Sequence, residues 1–347
     1  MKSTRRLSIA ALCVACLHLV FGAIVRISGS GMGCGDNWPK CYGHWFPPLD
    51  RPDLIVEVSH RYLASILTIT VLSMAFVAWR NRHVVGIGGP KGAMRSAFGA
   101  VAAVFTAAIL GGVTVKMGNA PWATVAHWLV AMTLLAMVAT TAIRAGALGG
   151  ASSLAQRGSS KTARAAFAAA ALAILAVALG GLTAKLPGAS VACTTVPMCG
   201  ANPDVPTGSV HVQLTHRTLA VLLFLHLIGV VISLNKRRAT EAPVVIRAAQ
   251  IALGMVVLQL IVASSMILFH LPPVLRSLHE ATGVGIWLSC FAFAYLAKRT
   301  RHAERSEGPL NAEEESSYRT KREPSPAHRV PSVTAFPQDD ARLRVKP

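Results

Sequence analysis

Eight apolar stretches of roughly 17 to 28 residues, each free of Asp, Glu, Lys and Arg, run along the chain, the length a helix needs to cross a hydrocarbon core at 1.5 Å per residue. The runs are Leu7 to Val25, Tyr62 to Trp79, Ser96 to Val115, Met117 to Ile143, Ala165 to Ala184, Thr218 to Asn235, Ala248 to Leu275 and Ala281 to Ala297. Their Ala, Leu, Val and Gly content suits close packing of helices in lipid, where small residues let backbones approach. The pattern predicts an all-α polytopic membrane protein with eight transmembrane helices. The first run follows Lys2, Arg5 and Arg6. It exceeds the apolar core of a signal peptide and has no A-x-A cleavage pattern, so it is read as a retained span.

The chain repeats itself. Gly22-Ala23-Ile24-Val25-Arg26 and Gly181-Leu182-Thr183-Ala184-Lys185 end two long apolar segments alike, and a cysteine follows each basic residue by eight positions, as Cys34 and Cys193. The parallel continues through Cys41 and Cys199, then through Val58-Ser59-His60-Arg61 and Leu214-Thr215-His216-Arg217. Two tandem four-helix bundles are expected, one over residues 1–144 and one over 165–298, joined by a linker over 145–164. An even number of spans per half keeps both halves in the same orientation. Beyond Lys298 the chain turns rich in Arg, Glu, Ser and Pro, and 299–347 reads as a disordered cytoplasmic tail.

Composition agrees with this picture. Charged residues make up 14% of the 347, against about 25% in soluble domains, and 53% are hydrophobic. With the amino terminus inside, the inner segments hold Lys2, Arg5, Arg6, Arg80, Arg82, Lys91, Arg95, Arg144, Arg157, Lys161, Arg164, Lys236, Arg237, Arg238 and Arg247. The outer segments hold only Arg26, Lys40, Arg51, Arg61, Lys116, Lys185, Arg217 and Arg276, offset by Asp36, Asp50, Asp53, Glu57, Asp204 and Glu280. Basic residues collect on the cytoplasmic side, so both termini are expected there, in a bacterial inner membrane. The net charge of +19 is then mostly a topology signal. It leaves no basic stripe for nucleic acid.

Four of the seven cysteines fall in the two long outer loops, Cys34 with Cys41 and Cys193 with Cys199. An oxidising exterior favours two local disulfides. They are either structural staples or, for Cys34 and Cys41, a redox pair, although neither has the C-x-x-C spacing of disulfide exchange enzymes. Cys13, Cys16 and Cys290 lie within spans as small apolar residues.

Ionisable groups inside membrane helices are costly and tend to face a bundle interior. His60, His127, His216 and His279 all stand near the outer starts of even-numbered spans, two in each half. A facing pair in each bundle is the arrangement that grips a heme iron from both sides. Zinc would want a closed four-ligand cluster at tighter spacing, and a lone intramembrane histidine can also be a packing residue. His18 and His226 lie deeper, without repeat partners, and are read as packing or hydrogen-bonding residues. Arg61 and Arg217 follow two of these histidines, where they either meet heme propionates or snorkel to the interface. Glu57 shares a helical face with His60, whereas the equivalent position before His216 is Gln213. A carboxylate beside a metal ligand can relay protons. The alternative is a solvated acid at the loop end.

Taken together, the loop from Gly29 to Cys41, the Glu57-Val58-Ser59-His60-Arg61 motif, the second cysteine pair and the four histidines resemble the heme A synthase family over residues 7 to 298. The resemblance implies oxidation of a methyl group of heme O to a formyl group, giving heme A for a terminal cytochrome oxidase. It implies that His216 and His279, with Arg217, hold a resident heme b as cofactor. His60 and His127, with Arg61, would hold the substrate heme. Glu57, Cys34 and Cys41 would be the catalytic groups and Cys193 and Cys199 a structural pair. Implied partners are heme O synthase and an electron acceptor, and a homo-oligomer stays open. Two alternatives share parts of the pattern: a membrane cytochrome b that only carries electrons, and a thiol-disulfide membrane oxidoreductase.

Overall fold

Four of the long helices begin on a proline, whose fixed φ and missing N–H suit the first turn. The computed structural model describes residues 1–153 and 158–306. Its helices are α1 (Lys2–Ile27), α2 (Pro52–Arg80), α3 (Ala93–Lys116), α4 (Pro121–Arg144), the single turn α5 (Gly150–Ser153), α6 (Ser160–Lys185), α7 (Thr207–Lys236), α8 (Pro243–Leu268) and α9 (Pro273–Ser306). All but α5 are long and apolar enough to cross a membrane, and the protein is an all-α, multi-pass membrane protein. Among the described residues there is no β-strand, only isolated bridges at Cys41 with His44 and Cys193 with Ala201.

The helices differ from the charge-free runs at their ends, for local reasons. α2 and α7 start some ten residues before their runs, because Glu57, Arg61 and Arg217 sit in the first helical turns and find partners in the outer loops rather than facing lipid. α4 starts later than its run, after Gly118 and Asn119 turn the chain at φ 57° and 60°. α8 ends at Leu268, where His270 and Leu271 take left-handed conformations before Pro273 opens α9. α9 continues to Ser306, past Lys298 where the sequence pattern started the tail. The rest of that tail, 307–347, and Arg157 lie outside the described residues.

α1 packs on α2 and α4, and α3 also packs on both. In the same way α6 packs on α7 and α9, and α8 on both. Further contacts run from α1 to α9 and from α4 to α6 and α9. α4 is the most enclosed span and α9 the next. The core between helices is built on small residues such as Ala11, Ala15, Ala97 and Ala100, and Ala166, Ala169, Ala249 and Ala252. Large side chains such as Ile69, Phe76, Ile109, Phe167 and Ile251 point outward, toward the lipid the fold requires. Trp287 on α9 donates its indole N–H to the carbonyl of Met132 on α4 at 2.9 Å, tying the two enclosed helices together.

Candidate functional site

Each outer loop is built by the same device. Gly29 after α1 and Gly188 after α6 take φ 75° and 70°, a conformation that favours glycine, and each opens a 3-10 turn. A disulfide follows, Cys34 with Cys41 and Cys193 with Cys199, with Cα atoms 5.0 and 4.7 Å apart. The first cysteine of each pair donates its backbone N–H to a side chain on the next long helix: Cys34 to Glu57 Oε2 at 2.8 Å, and Cys193 to Gln213 Oε1 at 2.5 Å. Arg61 donates to the carbonyls of Asn37 and Pro39 at 2.9 and 2.8 Å and pairs with Glu57 at 2.5 Å. Arg217 donates to the carbonyls of Cys193 and Thr195 at 3.0 and 2.7 Å. Both arginines therefore pin a disulfide loop over the outer end of their helix. Glu57 is buried, 4% exposed, so it is not a solvated acid at a loop end.

The four histidines lie six to nine residues after the first residue of their helices, so each stands about 9–14 Å along from the outer end. The rings of His216 and His279 face one another with centroids 6.4 Å apart and planes at 74°. Two imidazoles sharing one metal axially, each at a bond of about 2 Å with the ring centre roughly 1 Å beyond, need a centroid separation of about 6 Å, so this pair fits a bis-histidine heme. His216 Nδ1 donates to the carbonyl of Ala176 on α6 at 2.9 Å, and His127 Nδ1 donates to that of Ala107 on α3 at the same distance. A proton held on Nδ1 fixes the ring and leaves Nε2 with the lone pair a metal takes. His60 and His279 differ, since their Nδ1 atoms are buried with no hydrogen-bond partner. The Nε2 of His279 lies 3.4 Å from Gln259 Nε2, and Thr282 donates to the Oε1 of Gln259.

Glycines make the room for three of these rings. A Cβ at Gly22 on α1 would come within 3.1 Å of His60 Cε1, one at Gly180 on α6 within 3.0 Å of His216 Cε1, and one at Gly111 on α3 within 3.4 Å of His127 Cε1. Arg26 at the end of α1 forms an ion pair with Glu280, the neighbour of His279. Its guanidinium also lies 5.9 Å from the ring of Trp128, the neighbour of His127.

The sequence missed several of these neighbours. His18 is not deeper than the ligand candidates, because its ring stacks on His60 at a centroid distance of 4.2 Å and 6°. His226 bonds the carbonyl of Ala165 at 2.9 Å, the hydrogen-bonding part expected of it. Gln259, Thr282 and the facing glycines went unread, although Gly22 and the Gly180-Gly181 pair stand beside the repeated segment ends.

The geometry defines a class: a multi-pass helical membrane protein with paired imidazoles buried below disulfide-pinned outer loops. The cytochrome oxidase assembly protein family COX15-CtaA matches residues 5–291. The chain is 27% identical over 292 residues to the heme A synthase of Geobacillus kaustophilus (strain HTA426), covering 82% of this chain and 88% of that protein. It is 27% identical over 305 residues to that of Bacillus cereus (strain 03BB102), covering 86% and 92%. With that of Shouchella clausii (strain KSM-K16) it shares 30% over 234 residues, 65% and 74% of the two chains. The chain belongs to the COX15-CtaA family, that of the heme A synthases. Neither the electron-carrying cytochrome b nor the thiol-disulfide oxidoreductase finds support in these similarities.

Proposed function

We propose that the chain makes heme A by oxidising a methyl group of heme O to a formyl group, using a resident heme b. The observation that carries this reading is the facing pair His216 and His279, found in a chain whose relatives bear the name heme A synthase along most of their length. The two halves, 1–144 and 165–298, divide the work. His216 and His279 hold heme b in the second half, and His60 and His127 hold the substrate heme in the first. Arg217 and Arg61 supply the positive charge that suits heme propionates on each side. When bound, heme b supplies the one-electron chemistry that side-chain acids and bases lack.

The chain's own residues orient the substrate and handle protons. Glu57 is the carboxylate one helical turn before His60 in α2, and it takes up protons released as the methyl group is oxidised. Its hydrogen bond from Cys34 couples it to the Cys34–Cys41 disulfide, which borders the substrate site. Gln213 fills the same place in the second half without a charge, as a permanent cofactor site requires. Both termini face the cytoplasm, heme O synthase delivers the substrate through the membrane, water supplies the formyl oxygen, and an electron acceptor removes the electrons. The test is pigment extraction from protein purified after co-expression with a heme O synthase. Heme A alongside protoheme is expected, and protoheme alone would overturn the reading.

A further inference from the structure

His60 and His216 occupy equivalent places in the repeat, yet their rings are held differently. His216 is anchored by a hydrogen bond from Nδ1 to the carbonyl of Ala176 on α6. His60 has no such bond, and its Nδ1 is buried without a partner. It lies instead against α1, where Gly22 leaves room for its Cε1 and the ring of His18, one turn away, stacks on it at 4.2 Å and 6°. The His18 Nδ1 is likewise buried and unpartnered. Carried across the repeat by the matched pair Arg26 and Lys185, the position of His18 falls on Val177, so the second half has no ring to offer there. A carbonyl anchor fixes a metal ligand through a directed bond and raises its basicity. A stack fixes only the plane of the ring, and it leaves the ring free of the proton bond that strengthens a donor.

We propose that His18 is a positioning residue for the first-half heme: it sets the ring plane of His60 by stacking, in the place where the second half uses a carbonyl. This rests on the reading of His60 as a heme ligand. It gives His60 an orientation without a tether, whereas His127 in the same half and His216 in the second are held by backbone carbonyls.

The orientation of an axial imidazole plane governs the low-spin EPR signal of a bis-histidine heme, so the test is the EPR spectrum of the full-length, heme-loaded protein. The first-half signal is the one that disappears in His60→Ala, and the second-half signal serves as an internal check on folding. His18→Val, which installs the residue found at the equivalent place in the second half, should split or broaden the first-half signal and leave the other unchanged. His18→Phe, which restores a flat ring, should return a single first-half species. A first-half signal identical in wild type and His18→Val overturns the role of His18 alone. A wild-type protein with no signal that depends on His60 overturns the site assignment together with this inference.

Discussion

The carboxylate of Glu57 accepts the backbone N–H of Cys34 at 2.8 Å, so the first disulfide loop is fastened to α2 one turn before His60. Gln213 makes the same fastening to Cys193 with a neutral amide. The structural task at this position therefore needs an acceptor oxygen and not a charge, which allows the two roles of Glu57 to be separated. Glu57→Gln should fold and keep its hemes, because Arg61 retains its loop carbonyls and the second half already combines Gln with Arg. The stability loss should fall below the roughly 3–5 kcal/mol of an ordinary broken buried pair. Heme A yield should drop on the order of a hundredfold, as for loss of a general base. Thermal unfolding and extracted pigment, measured together, check both halves of this expectation.

The glycines facing the histidines give a graded expectation. Alanine in a helix ordinarily stabilises it by about 0.5–1 kcal/mol relative to glycine. At Gly180 and Gly22, however, the new Cβ would press on His216 and His60 at 3.0 and 3.1 Å, while at Gly111 it would meet His127 at 3.4 Å, close to ordinary contact. Gly180→Ala should lose most of the b-type heme, Gly22→Ala should lose heme A production with the b-type spectrum kept, and Gly111→Ala should show the mildest defect. Heme content per protein, read by absorbance, orders the three.

The two disulfides should separate by function although they match in form. They close loops with separations of 7 and 6 residues, and each is worth about 2 kcal/mol by its effect on the unfolded chain. Replacing Cys193 and Cys199 with serine should cost that stability and leave heme A formation in place. Replacing Cys34 and Cys41 should cost as much and abolish heme A formation, since their loop is bonded to Glu57. Equal activity in the two double variants would remove Cys34 and Cys41 from the catalytic groups.

Much of the architecture was legible in the sequence because lipid imposes a simple rule: eight apolar, charge-free runs became the eight long helices, and the cysteine spacings became two disulfides. Helix starts were harder. A charge normally ends an apolar run, but Glu57, Arg61 and Arg217 are satisfied by loop backbone, so α2 and α7 extend through them. The side-chain neighbours of the histidines depend on how α1 and α2, or α8 and α9, are rotated against each other. Nothing in the spacing of His18 to His60 or Gln259 to His279 sets that rotation, and for this reason the stack of His18 on His60 and the place of Gln259 went unread. The carbonyl anchors at Ala107 and Ala176 are backbone groups, which carry no mark in the amino-acid sequence.

The most direct test of the division of labour is the reduced heme spectrum of purified His60→Ala and His216→Ala proteins beside the wild type, each produced together with a heme O synthase. His216→Ala should lose the b-type spectrum, whereas His60→Ala should keep it and contain no heme A. Equal loss of the b-type heme from the two variants would contradict the account.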